Sequence, residues 1–201
     1  VKKIVFLSSG GTVYGVPSEV PILENHPTDP ICSYGITKLA IEKYLELYRY
    51  LHGLDYTVLR LSNPYGERQR VAATQGAIAV FLNRALRNEP IEIWGDGSVV
   101  RDYIYISDVI SALSATIDYA GPQRVFNIGA GQGKSINEII ESIEAIVGYE
   151  IVRQYKQGRP FDVPKSILSI AQAKQELNWH PIISFEDGLT HTANWIRSTL
   201  T

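Results

Sequence analysis

Short apolar runs bounded by turn residues alternate with stretches of helical periodicity along this chain, and that alternation restricts its fold most. It predicts an α/β architecture in which consecutive strands are joined through helices. Strands are expected at 3–7, 55–61, 91–94, 125–128 and 151–155, with 3–7, 56–61 and 125–128 parallel neighbours in one sheet. Helices are expected at 34–52, 75–88 and 107–119, the last capped by Ser107, and from Ser135 to Gly148. Gly53 stops the first of these, while Ser135 with Glu138 three residues on forms a capping box for the last. Ser169 and Ser184 open two further helices, the second with Asp187 in its first turn. Residues 17–30 hold four prolines and read as an irregular surface segment, and Gly95-Asp96-Gly97 as a turn.

Composition removes several function classes. The net charge is −2 over 201 residues, so no basic field points to nucleic acid. No apolar run approaches the roughly 20 residues that span a bilayer. Cys32 is the single cysteine, which precludes an internal disulfide and a cysteine-rich zinc site and fits a reducing compartment. The histidines at 26, 52, 180 and 191 never pair at helical spacing, so no metal site is expected. The chain contains no methionine and starts directly on an apolar strand, with no element before it. It therefore reads as part of a longer polypeptide whose missing strands would leave one apolar sheet edge uncovered.

Two segments carry chemistry. Tyr34 and Lys38 stand at i and i+4 at the start of a helix, so a phenol and an ammonium share one face. A nearby cation favours the ionised phenol and makes tyrosine usable as a general base. Twelve tyrosines and eight lysines would give about half such a pair by chance, so context must carry the reading. That context is the apolar run 3–7 feeding directly into Ser8-Ser9-Gly10-Gly11-Thr12-Val13-Tyr14-Gly15. Small and hydroxyl-bearing residues after a parallel strand suit a ligand crevice at the carboxyl end of a sheet.

The motifs in sequence order are Ser8-Ser9-x-x-Thr12-Val13-Tyr14-Gly15, Ser33-Tyr34-Gly35-x-x-Lys38, Leu59-Arg60-Leu61-Ser62-Asn63-Pro64-Tyr65-Gly66, Trp94-Gly95-Asp96-Gly97-x-x-x-Arg101-Asp102-Tyr103-Ile104-Tyr105, Phe126-Asn127-Ile128-Gly129 and Gly158-Arg159-Pro160-x-Asp162. In this order and spacing the chain resembles the extended short-chain dehydrogenase/reductase family, in its nucleotide-sugar 4-epimerase branch, without the N-terminal dinucleotide-binding glycine loop. The resemblance implies a partial Rossmann-like doubly wound parallel sheet plus a smaller C-terminal substrate-binding lobe. Residues 1–74 and 107–135 would belong to the NAD-binding part, and 75–106 and 136–201 mainly to the substrate lobe. It further implies NAD as cofactor, a UDP-sugar as substrate, a cytoplasmic location, a homodimer when full length, and no activity for the fragment alone.

By the same resemblance Tyr34 would be the acid/base at the sugar 4-hydroxyl and Lys38 would hold the nicotinamide ribose. Ser8, Ser9 and Leu61 would contact the cofactor. Asn63 would meet the sugar or phosphate, and Arg101 and Arg159 would clamp the pyrophosphate. Ile93 or Trp94 would line the uracil slot, and Asp162 would meet the nucleotide ribose. Ser166 would sit beside the sugar's 2-substituent, leaving room for an N-acetyl group. One departure is plain: the family's usual catalytic hydroxyl position is Gly10, and Thr12 is taken as its replacement. Gly11 and Thr12 also hold places where dehydratases and decarboxylases of the family carry acidic residues, which disfavours elimination chemistry. Another nucleotide-sugar enzyme of the family (a dehydratase, decarboxylase or reductase), or a non-catalytic nucleotide-sugar or NAD sensor on the same fold, is the alternative. Residues 129–135 (Gly-Ala-Gly-Gln-Gly-Lys-Ser) imitate a P-loop and a dinucleotide fingerprint but fail both, because Ile128 and Lys134 stand where glycine is needed. The segment reads as a loop with a helix cap.

Overall fold

The computed structural model describes residues 1–69, 76–158 and 163–200. Its first sheet is three parallel strands in the order β1 (Lys3–Ser9), β2 (Asp55–Leu61) and β6 (Val125–Ile128), so the expected parallel arrangement is present. Helix α1 (Ser33–His52) connects β1 to β2 and packs on both. Helices α3 (Ile106–Ile117) and α5 (Ala171–Leu177) cover strands of the same sheet, packing on an apolar cluster of Leu59, Leu61, Val109, Phe126, Ile128, Ala173 and Trp179. Strand β2 is buried along nearly its whole length, which explains its continuous apolar run. Strand β1 pairs only with β2 among the described residues and is half-buried, with Leu7 exposed.

The second region gathers α2 (Ala77–Leu86), α4 (Ile136–Val147) and α6 (Phe185–Leu200) around Ile78, Leu82, Ile139, Ile140, Ile143, Leu189 and Ile196. Beside them β4 (Ile91–Trp94) pairs in parallel with β8 (Arg153–Lys156). Between the regions lies a small mixed sheet. In it β5 (Val100–Tyr105) pairs in parallel with β3 (Asn63–Tyr65) and β9 (Lys165–Ser166), and antiparallel with β7 (Gly133–Ser135). Strands β3, β7 and β9 are two or three residues long, too short to show a periodicity, and none of the four was among the expected strands.

Local signals decided several boundaries. Ser135 accepts the Glu138 amide while Glu138 receives the Ser135 amide, which is the expected capping box. Ser184 Oγ accepts from the Asp187 amide at 3.1 Å, as expected for an N-cap. Two caps are corrected. Helix α3 begins at Ile106, so Ser107 lies inside it, and its Tyr105 cap makes no side-chain bond. Helix α5 begins after Ile170, not at Ser169. Strand β8 lies two residues later than expected because Ile151 turns into the core ahead of it. The helix expected from residue 75 starts at Ala77, and residue 75 itself lies outside the described residues.

The glycine-rich 129–135 segment has a definite task. Asp102, 1% exposed, accepts the Ala130 amide at 2.8 Å and the Gly131 and Leu168 amides at 3.2 Å each. The loop thus cradles a carboxylate of its own chain, and the residues after it form β7, where a loop was expected. Burial is the largest influence on Asp102 and raises its pKa to about 6, although the three amides favour the ionised form. Because the folded value lies above the unfolded value of about 3.9, this group's contribution to stability is full below about pH 4 and is lost as pH rises through about 6. The loss is on the order of 3 kcal/mol. Asp102→Asn removes this titration and turns an amide NH₂ toward backbone N–H donors. The stability advantage of wild type over the variant should therefore shrink as pH rises from 4 to 7 in urea unfolding. A difference that is flat or grows with pH would contradict this assignment.

Candidate active site

The Tyr34–Lys38 pair sits where a parallel sheet offers its ligand crevice, at the carboxyl end of β1. Lys38 Nζ donates to the Leu7 carbonyl at 2.8 Å. It also lies 4.8 Å from the Phe6 ring centre and 5.5 Å from that of Tyr34. Tyr34 is 56% exposed, so its phenol faces solvent and not the core. What brings the two segments together is Gly35. A methyl group added there would lie 2.7 Å from the Thr12 carbonyl, so only glycine lets α1 press its first turn onto the 8–15 loop.

Within that loop Ser9 O accepts the Thr12 and Val13 amides, and Gly10 N donates to Leu61 O at 2.7 Å. The hydroxyl of Thr12 is shielded from solvent and has no partner among the described residues, so its hydrogen-bonding capacity is unspent. Gly10 has a structural reason to lack a side chain. A methyl group there would stand 2.5 Å from Leu168 Cδ1 and 3.1 Å from Arg60 O. At Gly11 an added methyl group meets nothing within 4 Å, so the loop surface is open there.

The other expected residues form a second group around β5. Asn63, directly after β2, donates its amide to the Asp102 carbonyl at 2.9 Å. Arg101 donates Nη1 to the Val163 carbonyl at 2.5 Å and to the Val100 carbonyl at 2.9 Å, which fixes its guanidinium. Ser166, buried, is its register partner on β9. Of the two residues expected at the uracil slot, Trp94 is exposed while Ile93 is buried in the apolar core of the second region. The Ser8 hydroxyl points inward, and Leu61 is buried in the core beneath the sheet, so neither side chain faces the crevice. Ser9, half-buried, ends β1. Arg159 and Asp162 lie outside the described residues.

Sequence reasoning missed a buried polar cluster behind this site. Glu42 accepts Ser8 Oγ at 2.5 Å and Arg60 Nη2 at 2.7 Å, the carboxylate and guanidinium being 6% and 8% exposed. Arg60 Nη1 donates to the Tyr14 hydroxyl at 2.9 Å and to the Glu24 carbonyl at 3.2 Å. Tyr14 in turn donates to Asn127 Oδ1 at 2.7 Å, and the guanidinium lies 4.9 Å from its ring centre. Asn127 donates its side-chain amide to the Ile22 carbonyl and its backbone amide to Glu24. Burial holds the Tyr14 phenol above its ordinary pKa, so Tyr14 stays a neutral donor and is no rival to Tyr34 as a base. A signal was available: Arg60 interrupts the buried apolar strand 56–61, and a charge there demands a partner.

An open depression of about 650 Å³ bounded by Lys43, Arg49, Tyr56 and Arg124 opens at the amino-terminal end of the strands, away from this chemistry. Among the described residues no group of metal-binding side chains converges, and no helix is long and apolar enough to cross a membrane.

Comparison with known proteins agrees with this geometry. Residues 1–129 match the model of the NAD dependent epimerase/dehydratase family. The crystal structure of a UDP-glucose 4-epimerase from Thermotoga maritima with UDP-glucose superposes with a TM-score of 0.96 at 42% identity, over 100% of this chain and 65% of that one. A UDP-glucose 4-epimerase of Mycolicibacterium smegmatis is 34% identical over 198 residues, 98% of this chain and 63% of its own. A dTDP-4-dehydro-6-deoxyglucose reductase of Escherichia coli is 39% identical over 197 residues, 98% of this chain and 62% of its own. The chain thus spans a little under two thirds of the relatives it matches. The motif order, the parallel sheet and the Tyr34–Lys38 pair at its carboxyl end agree with the match, and the chain belongs to the NAD dependent epimerase/dehydratase family.

Proposed function

We propose that the complete protein interconverts the C4 epimers of a UDP-sugar through a transient 4-keto sugar. The observation that carries this is the Tyr34–Lys38 pair, exposed on one helix face and tied to the Leu7 carbonyl at the end of β1. The open surface at Gly11 makes the crevice compatible with a dinucleotide and a sugar. NAD, when bound, supplies reversible two-electron oxidation at the sugar carbon. Tyr34 accepts the proton of the 4-hydroxyl and returns it after the keto sugar has turned over. Lys38 holds the cofactor ribose beside it, Ser9 lines the same loop, and Thr12 donates to the sugar oxygen. Asn63 and Arg101 hold the diphosphate side, the guanidinium being fixed by two carbonyls, with Arg159, Asp162 and Trp94 completing the nucleotide site. In this reading residues 1–74 and 107–135 form the cofactor part, and 75–106 with most of 136–201 the substrate lobe. Helix α5, which packs on β6, joins the former.

The Escherichia coli relative named as a reductase favours a second reading, net reduction of a keto sugar on the same residues. Product mass separates the two, since epimerisation conserves mass and reduction adds two hydrogens. Tyr34→Phe in the complete protein should lower turnover roughly 10²–10⁴-fold with little change in nucleotide-sugar affinity. Near-normal turnover would remove Tyr34 from the mechanism.

Substrate choice at the 2-position is assigned to Ser166, small, buried and beside Arg101. The enzyme is expected to accept N-acetylated UDP-hexosamines as well as UDP-hexoses. Ser166→Tyr should reject the acetylated substrate and spare the simple hexose. An unchanged ratio of kcat/KM for the two substrates in that variant would place the selection elsewhere.

The same reading includes a cytoplasmic homodimer, in keeping with the free thiol of Cys32. Ile36, Tyr44, Leu47, Tyr48 and Leu51 form one exposed apolar stripe on the outer face of α1. Such a stripe pairs with itself across a two-fold axis. Leu47→Glu should convert the dimer to monomer in sedimentation analysis. A wild-type protein that sediments as a monomer at micromolar concentration would refute it.

A further inference from the structure

Helix α1, which carries the proposed catalytic pair, rests on the sheet through few fully buried residues. Of its 20 residues only Gly35, Glu42 and Leu45 are buried. Its larger apolar side chains, Ile36, Ile41, Tyr44, Leu47, Tyr48 and Leu51, point outward and do not fix it to the sheet. Gly35 sets the distance of its first turn from the Thr12 carbonyl but supplies no side chain to resist rotation. Leu45 meets Tyr56 and Val58 in a small apolar cluster. Leu39 packs beside Val13 and Leu168, and Lys38 reaches the Leu7 carbonyl. The one buried charged anchor on the helix is Glu42, gripped by Arg60 through Nε and Nη2 and by Ser8 at 2.5 Å.

Tyr34, Lys38 and Glu42 follow one another at intervals of four, so the anchor lies on the same helix face as the pair. At the side-chain radius of a helix, about 5–6 Å, a rotation of about 10° moves a group by about 1 Å. A displacement of that size is worth roughly 10²-fold in rate. Both partners are on or beside the strands whose ends form the crevice: Ser8 is in β1 and Arg60 in β2. A buried ion pair contributes little net stability against a well-packed apolar replacement, but breaking one side of it leaves a buried charge unpaired. Geometric control is what an ion pair supplies here that an apolar contact would not.

We propose that Glu42, held by Arg60 and Ser8, is a positioning residue that fixes the rotation of α1 and so sets Tyr34 and Lys38 at the carboxyl end of β1. The kinetic part rests on the epimerase reading; the structural part does not. In the complete protein, Glu42→Gln should lower kcat about 10- to 100-fold while KM for the UDP-sugar stays within about twofold. The double variant Glu42→Leu/Arg60→Met should return Tm to near wild type without restoring kcat, because it refills the site but not the directional bonds. If the double variant recovers Tm and kcat together, or if Glu42→Gln keeps wild-type kcat, the pair is only structural and the proposal falls. Hydrogen–deuterium exchange gives a readout independent of the sugar. Glu42→Gln should speed exchange of the amides at 36–46 at least about tenfold and leave those of α4 unchanged. A uniform rise across the molecule, or none in α1, overturns the proposal even if the reaction proves different. A wild type without epimerase turnover, together with the expected exchange pattern, would refute the epimerase reading and leave the anchor standing.

Discussion

The buried ion pair between Glu42 and Arg60 is the constraint on which the geometry of the crevice depends. It joins α1 to β2, reaches β1 through Ser8, and extends through Tyr14 and Asn127 to β6 and to residues 22–24. Every strand of the first sheet is therefore tied to one polar network on the α1 side. The opposite side of the sheet rests on apolar packing around Phe126 and Trp179. Apolar contacts supply most of the driving force for burial but little direction, while a buried ion pair supplies direction with little net gain over an apolar replacement. The division matches what each face must do, since only the α1 face carries the Tyr34–Lys38 pair.

A second buried carboxylate does comparable work for the second group of residues. Asp102 gathers the amides of Ala130, Gly131 and Leu168, and so holds β5, the loop after β6 and the segment following β9 in one arrangement. Asn63 bonds to the carbonyl of the same residue, and Arg101 is its chain neighbour. Two side chains expected to meet substrate are thus positioned by the backbone around one internal anion. The glycine-rich segment that imitates a phosphate loop uses the same physics, backbone amides converging on negative charge, but its anion belongs to the protein.

The two groups meet at Leu168. Its amide reaches Asp102, its backbone makes an isolated bridge to Ile22, and its side chain fills the space that a side chain at position 10 would need. Gly10 is therefore one half of a contact between the segment after β9 and the loop that follows β1. The Thr12 hydroxyl, two residues on, is buried without a partner among the described residues.

Much of this was legible in the sequence because it rests on local rules. Alternating apolar runs gave the three parallel strands. Ser135 with Glu138, Ser184 and Gly53 marked helix ends through their own backbone chemistry, and the spacing of Tyr34 and Lys38 placed both on one helix face. The motifs in order identified the family. Tertiary structure alone decided the rest. Strands β3, β5, β7 and β9 exist only because distant segments pair, and no periodicity in a three-residue stretch such as Asn63–Tyr65 announces that. That Ile93 turns inward while Trp94 faces solvent depends on which side of β4 meets α2 and α4. The sequence shows that Arg60 and Asp102 are charged residues within strands. Only the fold shows which partners reach them, because the energy of a buried charge is set by neighbours brought from 18 and more residues away.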